Sequence, residues 1–277
     1  MALGNLAARF AVAVVALPPL VYAIYMDSPH FVWGVVFVAS LIAMYEYLAM
    51  GLEDETDRRV SLVIGAASCA LLYWLTAKAP GSQAALLAVV VAMVPTTLYY
   101  LFRFGDLKTV ADRLNTSIIA IIYGGLMFSM VALLKLGMGG DIVILILLTA
   151  WLSDTGGYFA GKYLGKRKLY EAVSPKKTWA GSVGGVAAVL VGAAVFKELR
   201  MHDAISWVDL VLLCGPGAVL GQLGDLCESM MKRSRGVKDS GAILPGHGGI
   251  LDRVDAILFI APYFYAYITV RVLIDTL

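Results

Sequence analysis

The chain has 277 residues, of which 60% are hydrophobic and 15% are charged, and its formal net charge is +2. A soluble globular domain is about half apolar and about a quarter charged, so the composition excludes an ordinary soluble protein. Because the chain is nearly neutral, the distribution of charge is more informative than its sum, and nucleic acid is not expected as a partner. The cysteines, Cys69, Cys214 and Cys227, are scattered and odd in number, which is typical of free buried thiols and matches neither a disulfide framework nor a zinc spacing.

The apolar residues lie in blocks of about 20, the length that spans the hydrocarbon core of a bilayer. They predict an all-α, polytopic integral membrane protein with about nine transmembrane helices and a polar catalytic cavity that faces the cytoplasm. The first span has no small-residue cleavage site, so we expect it to be retained. Residues 1–110 are expected to form packing and lipid-facing helices, and residues 111–277 the catalytic region. The predicted spans cover residues 8–25, 31–50, 60–78, 84–102, 114–134, 142–161, 179–196, 207–227 and 254–275.

The basic residues are distributed unevenly between the predicted loops. With the N-terminus in the cytoplasm, 17 of the 22 Lys and Arg residues fall on the cytoplasmic side. The basic loops at 162–177 and 232–253 share that side because two spans separate them. Cytoplasmic loops carry an excess of Lys and Arg, which places both loops at the cytoplasmic face of the cell membrane. The basic residues between 162 and 168 are interpreted only as part of this general excess in cytoplasmic loops.

The first four spans contain little polar chemistry, and Glu46, near the end of the second span, is the exception. A carboxylate inside the membrane is a functional candidate by default. Glu53 and Asp54 follow closely in the sequence, however, and we favour the interpretation that Glu46 lies with them at the membrane surface.

Span six carries a carboxylate, Asp154, well inside an apolar run. Such a group is costly unless it faces a cavity or a cation, so Asp154 is a candidate functional residue. Gly157, Gly161 and Gly165 recur at every fourth position and favour the close approach of another helix.

The loop after span six ends in Ser174-Pro175-Lys176-Lys177-Thr178. Pro175 predicts a turn, because proline is disfavoured inside a helix. Lys176, Lys177 and Thr178 then enter span seven. The free N–H groups and the positive dipole end of a helix start suit anions, so we favour phosphate binding for these three residues.

Two pairs of carboxylates are expected to converge from spans eight and nine. Asp225 and Glu228 lie on one helical face, and Asp252 and Asp255 are three residues apart at the entry to span nine. Three or four such oxygens suit a hard cation such as Mg²⁺, which keeps waters and takes substrate phosphates as further ligands. The sequence therefore predicts a magnesium site.

An alternative for Asp252 is a capped helix start with surface ion pairs to Arg253 and Lys238. Gly215-Pro216-Gly217 also predicts that span eight is kinked or broken. In the polar loop between the two spans, His247 is either a base or a hydrogen-bonded turn residue. Its neighbour Gly248 indicates backbone close to a ligand.

From Ser229 to Asp255 the sequence reads SMMKRSRGVKDSGAILPGHGGILDRVD. It resembles the signature of the phosphatidate cytidylyltransferase family, also called CDP-diglyceride synthetase. The upstream Ser153-Asp154-Thr155-Gly156 and SPKKT motifs also resemble family motifs, in the expected order, whereas Ala180 stands where the family usually has Glu. The resemblance covers about residues 140–260, and the first hundred residues only in hydropathy.

The resemblance implies transfer of a cytidylyl group from CTP to phosphatidate at the lipid bilayer, giving CDP-diacylglycerol and pyrophosphate for phospholipid biosynthesis. Mg²⁺ is the implied cofactor, K⁺ is the candidate for a second cation, and a homodimer is the candidate assembly. The implied metal ligands are Asp225, Asp252, Asp255 and Glu228. The implied catalytic residues are Asp225, Asp252, Asp255, Lys232 and Lys238. The implied substrate-binding residues are Asp154, Ser174, Lys176, Lys177, Thr178, Arg233, His247, Gly248 and Arg253.

Three alternatives stay open. A CDP-archaeol synthase-like enzyme would perform the same chemistry on an ether lipid. A CTP-dependent lipid kinase would transfer the γ-phosphate and release CDP. An ion-coupled transporter would use Asp154 and a broken span eight as its path, and would bind without turnover.

Overall fold

The computed structural model describes the chain over residues 18–80, 83–241 and 248–275. Within these ranges, eight helices are long and apolar enough to cross a membrane. The prediction of an all-α polytopic membrane protein is therefore confirmed. The predicted first span at 8–25 falls mostly outside the described residues, and its last part, 18–25, is helical (α1).

The described elements follow one another with short connections. The helix over Leu107–Ile119 continues through a π-helical segment, Ala120–Met127, into the helix over Phe128–Met138. The remaining elements are α2 (Pro29–Gly51), α3 (Glu55–Lys78), α4 (Ala84–Phe102), α5 (Leu107–Ile119), α6 (Phe128–Met138), α7 (Gly140–Leu164), β1 (Lys168–Tyr170), β2 (Ser174–Thr178), α8 (Trp179–Arg200), α9 (Trp207–Ser234), α10 (Leu251–Val254) and α11 (Ile257–Asp275).

Side chains at the helix starts explain where several spans begin. The Asp54 carboxylate accepts hydrogen bonds from the N–H groups of Thr56 and Asp57 at the start of α3, at 2.7 and 3.0 Å. The Thr178 hydroxyl accepts from the N–H of Gly181 at the start of α8, at 3.1 Å. Such caps satisfy N–H groups that have no partner inside the helix.

The chain divides into two compact units, and the first comprises Met1–Leu136 and Asp239–Arg253. Its α5–α6 span has an apolar window that is 72% buried, so this span is the core helix of the unit. The buried Asp57 accepts hydrogen bonds from Arg113 Nε at 2.9 Å and from the Tyr99 hydroxyl at 2.7 Å. These bonds compensate the cost of burying its charge.

The second unit comprises Gly137–Lys238 and Val254–Leu277. Its helices α7 and α8 approach closely along a line of glycines. A Cβ at Gly156 would lie 2.9 Å from the carbonyl oxygen of Gly184, and one at Gly165 would lie 2.6 Å from the Thr178 hydroxyl. The close approach predicted from the glycine spacing is therefore present.

Two local expectations need correction in this unit. The loop at 162–177 is not a simple turn, because β1 and β2 pair in an antiparallel hairpin that joins Lys168 to Thr178 and Tyr170 to Ser174. Of the two alternatives for span eight, a break is wrong, since α9 runs as one helix with Pro216 inside it, and a kink stays a prediction. Because an α-helix tolerates an internal proline where neighbouring groups satisfy the freed carbonyl, the motif alone did not decide this.

Candidate active site

A cavity of about 420 Å³ opens in the second unit where α7, the hairpin, α8 and α9 meet. It gathers five of the predicted site residues from three separate motifs. They are Asp154, Lys176, Lys177, Thr178 and Asp225.

The secondary structure explains why these five side chains meet. Asp154 lies on α7, and its helix is brought against α8 by the glycine contacts. Lys176 and Lys177 lie at the end of β2, and Thr178 both ends that strand and caps α8. Asp225 comes from the last third of α9.

An ion pair in the cavity joins Lys177 to Asp225. The Lys177 Nζ lies 2.6 Å from Asp225 Oδ2 and also reaches the carbonyl oxygen of Gln222 at 3.4 Å. About a quarter of each charged side chain stays exposed, 25% for Lys177 and 29% for Asp225. Both charges are therefore accessible from the cavity.

Uncharged polar side chains behind this pair were missed from the sequence. Gln222 donates from Nε2 to the Ser153 hydroxyl and to the Ser182 carbonyl oxygen, both at 3.1 Å, and the Ser182 hydroxyl donates to Gln222 Oε1. This network links α7, α8 and α9. The signal was weak, because single Ser and Gln residues in apolar spans are common.

Lys162 was interpreted as a basic residue of an ordinary loop, but it does not lie in the loop. The residue lies in the last turn of α7 and lines the cavity. Its Nζ lies 5.8 and 5.3 Å from the ring centres of Tyr158 and Tyr163, within reach of cation–π attraction. The cavity thus holds three lysines, Lys162, Lys176 and Lys177.

Asp255 lies just before α11 and is coupled to the carboxylates of the same unit. The pKa of Asp255 is raised to about 7, first by burial of its carboxyl group and then by the charges of Asp225 and Asp154, although a hydrogen bond from the Ala256 N–H opposes the rise. An oxygen-only donor set whose charges repel one another fits a hard divalent cation. No group of three or more His, Cys, Asp or Glu side chains gathers at ligand distance within the described ranges. Mg²⁺ is, however, commonly held by one or two carboxylates together with waters and phosphates.

The basic residues Lys232, Arg233 and Lys238 were expected to contact the substrate, but they do not line the cavity. Lys232 and Glu228 are both buried and form an ion pair at 2.5 Å, one turn apart on α9. Arg233 donates to the carbonyl oxygen of Val237 at 3.1 Å, and Lys238 is exposed. None of these four residues lines the cavity of the second unit.

Asp252 belongs to the first unit. Its Oδ2 accepts hydrogen bonds from the N–H groups of Ser240 at 3.0 Å and Gly249 at 2.8 Å. Gly248 has a φ of +76°, and a Cβ there would lie 2.5 Å from the same oxygen, so a glycine is required. Arg253 is exposed.

Ser174 and His247 are the other two predicted substrate-binding residues. Ser174 is partly buried and pairs with Tyr170 in the hairpin, outside the cavity lining. His247 lies outside the described residues.

Glu46 is buried inside the first unit, and its position at the membrane surface stays a prediction. The residue is 3% exposed and accepts hydrogen bonds from Ser240, Ile250 and Leu251 in the first unit. The partners are about 200 positions away in the sequence, and no local pattern could have indicated them.

Fold and site together define a polytopic helical membrane protein with a cavity lined by lysines and carboxylates. The family model for the cytidylyltransferase family matches residues 7–271, and the chain belongs to that family. The match extends well beyond residues 140–260, to which the sequence resemblance was firmly assigned.

Relatives with a curated name support the same family. The chain is 30% identical to the phosphatidate cytidylyltransferase of Thermotoga maritima over 84% of its length and 85% of that protein. It is 37% identical to the one of Synechocystis over 61% of its length and 67% of that protein. It is 52% identical to the one of Bacillus subtilis, where the alignment spans less than half of either protein, 42%.

Proposed function

We propose that this protein transfers the cytidylyl group of CTP to phosphatidate, forming CDP-diacylglycerol and pyrophosphate for phospholipid synthesis. A phosphate oxygen of phosphatidate forms a bond to the α-phosphorus of CTP. The bond from that phosphorus to the bridging oxygen of the β-phosphate breaks, and pyrophosphate leaves with the electron pair. The nucleophile is already ionised near neutral pH, so the step needs charge neutralisation and positioning more than a base.

The observation that carries the proposal is the grouping of three lysines with Asp154 and Asp225 in one cavity of a chain in this family. Two reactants that carry phosphates repel each other, and lysine ammonium groups offset that repulsion. The N-terminus of α8, capped by Thr178, adds oriented N–H groups and the positive end of a helix dipole. The cavity therefore suits the phosphates of CTP and of the lipid headgroup.

Asp225 and Asp255 of the second unit would hold Mg²⁺, with Glu228 of the same unit and Asp252 of the first unit as further candidate ligands. When bound, Mg²⁺ would neutralise phosphate charge and orient the leaving pyrophosphate. K⁺ remains the candidate for a second cation. In this proposal Lys177 holds Asp225 in place before substrate arrives and then turns to phosphate.

The proposed setting is the cell membrane, with the cavity open to the cytoplasm and the acyl chains of the lipid left in the bilayer. A homodimer is the proposed assembly. The excess of Lys and Arg in the loops that bear the motifs supports this orientation.

The reaction is tested with the purified full chain, CTP, phosphatidate and Mg²⁺. We expect one pyrophosphate for each CDP-diacylglycerol and no product without Mg²⁺. Release of CDP would replace the proposal by a lipid kinase, and activity on an ether-lipid acceptor alone would replace phosphatidate as the substrate. Binding of CTP without turnover on any of these lipids would favour transport.

Lys177→Ala tests whether the cavity is the site of this reaction. Hydrogen bonds to charged groups contribute about 1.5–3 kcal/mol, so we expect kcat/KM to fall roughly 10-fold to 100-fold with little change in thermal stability. Lys166→Ala is the matched control, because Lys166 is exposed in the same loop and does not line the cavity. Equal activity of the two variants would place the chemistry elsewhere.

A further inference from the structure

Glu46 is a buried carboxylate that binds a distant loop instead of a cation. Its Oε1 accepts a hydrogen bond from the N–H of Ile250 at 3.0 Å. Its Oε2 accepts from the N–H of Leu251 at 2.8 Å and from the Ser240 hydroxyl at 3.2 Å. All of these residues belong to the first unit, so this side chain of α2 binds Ser240 on one side of residues 242–247 and Ile250 and Leu251 on the other.

The glycines of that segment are explained by the same carboxylate. A Cβ at Gly241 would lie 2.5 Å from Glu46 Oε1, and a Cβ at Gly249 would lie 2.6 Å from its carboxyl carbon. Any larger residue would push the loop away from Glu46. Two glycines on either side of residues 242–247 are therefore fitted to Glu46.

Asp252 is joined to Glu46 through two shared residues. Ser240 donates its N–H to Asp252 and its hydroxyl to Glu46. Gly249 donates its N–H to Asp252 and leaves room for Glu46. The N–H groups of Ile250 and Leu251, at the start of α10, bind Glu46 directly. The direction of the Asp252 carboxylate therefore depends on the position of Glu46.

These contacts need a hydrogen-bond acceptor at each oxygen of the Glu46 side chain. All three partners donate, so both oxygens must accept. In either orientation, a glutamine amide would turn its NH₂ group toward the N–H of Ile250 or of Leu251, and it would leave that buried donor unsatisfied. A buried carboxylate is costly without such partners, so its presence calls for a role.

We propose that Glu46 is a positioning residue for cytidylyl transfer. By binding Ser240, Ile250 and Leu251, it keeps the Asp252 carboxylate in the orientation set by the N–H groups of Ser240 and Gly249. The proposal rests on the proposed function and adds to it a residue of the N-terminal helices, to which no chemistry was assigned. Glu46 acts through Ser240 and the backbone of the loop and does not touch the substrate.

Glu46→Gln is compared with Asp57→Asn in the full chain. Asp57 is also a buried carboxylate of the first unit, 1% exposed, but it pairs with Arg113, Arg103 and Tyr99. For Glu46→Gln we expect faster hydrogen exchange of the amides at 248–251, and a Mg²⁺ concentration for half-maximal activity that rises roughly 10-fold to 100-fold. For Asp57→Asn we expect lower thermal stability with both quantities unchanged.

The outcomes separate a positioning role from a structural one. If Glu46→Gln lowers only thermal stability and the fraction of active protein, with the Mg²⁺ dependence of wild type, the proposal is overturned. If this variant does not fold, Glu46→Asp, which keeps the charge but shortens its reach, is measured in the same way. If wild type makes no CDP-diacylglycerol, the proposed function fails and the positioning role falls with it. Hydrogen exchange then still reports whether Glu46 holds the loop.

Discussion

Asp255 has a carboxyl group with a pKa of about 7, because burial and the charge of Asp225 disfavour its ionised form. Between about pH 4 and pH 7 the native state therefore keeps a proton that the unfolded state has already released. The native state binds more protons in this window, so the free energy of unfolding falls as the pH rises through it. The resulting loss in the free energy of unfolding reaches its full size above about pH 7 and is on the order of a few kcal/mol.

Asp255→Asn removes the ionisable group, and with it this loss of stability at high pH. In protein purified without divalent cations, we expect the variant to be more stable than wild type at pH 8, and the difference to shrink toward pH 4. Thermal unfolding across the pH range measures it, and Asp203→Asn, an exposed carboxylate, is the control. A difference that does not change with pH would contradict the assignment. Mg²⁺ should raise the unfolding temperature of wild type at pH 8 more than that of Asp255→Asn.

At the scale of elements, the contact between α7 and α8 positions Asp154 beside Lys176, Lys177 and Thr178. The two helices approach so closely that a Cβ at Gly156 would meet the Cβ of Ala188 and the backbone of Gly184. Backbone atoms cannot move aside as a flexible side chain can. The shape of the cavity thus depends on residues that carry no functional group.

Gly156→Ala tests this contact. Overpacking costs about 1–3 kcal/mol, so we expect a lower unfolding temperature and a loss of activity from the displaced cavity wall. Gly34→Ala on α2 is the matched control, because a Cβ there has no neighbour within 4 Å. Since alanine is the better helix former, Gly34→Ala should be neutral or slightly stabilising. Equal effects of the two substitutions would show that the close approach does not matter.

At the scale of the whole molecule, the loops at the two ends of the spans differ in charge. The two segments with the site motifs, 162–177 and 232–253, carry 11 of the 22 Lys and Arg residues. The connection between α8 and α9 is at the opposite end of α8 from the hairpin. If the proposed orientation holds, the hairpin lies in the cytoplasm and that connection lies outside.

Labelling with a membrane-impermeant maleimide measures the orientation. Glu171→Cys lies in the turn of the hairpin and Asp203→Cys between α8 and α9, and both positions are exposed. Cys69 and Cys214 are buried, so Cys227→Ser provides the background. We expect Asp203→Cys to react in intact cells and Glu171→Cys to react only after the membrane is opened. The reverse pattern would invert the proposed topology.

Local chemistry in the sequence was enough to predict the spans and part of the site. Span length follows from bilayer thickness, and eight of the predicted spans correspond to described helices. Asp154 stood out because a carboxylate inside an apolar run needs a reason. Lys177 stood out at a predicted helix start that suits anions, and Asp225 as a member of a predicted carboxylate pair. The three residues do line one cavity, as their chemistry indicated.

Contacts between distant residues were decided only by the tertiary structure. Gln222, Ser153 and Ser182 have no charge and no spacing that sets them apart from other polar residues in a span, and they became a network only when three helices met. Glu46 looked like a surface carboxylate, because its partners lie about 200 residues away. By itself, the sequence determined which segments enter the membrane and which charges are unusual, since both depend on local composition. Which groups satisfy each buried charge depends on chain packing, and only the folded structure decided it.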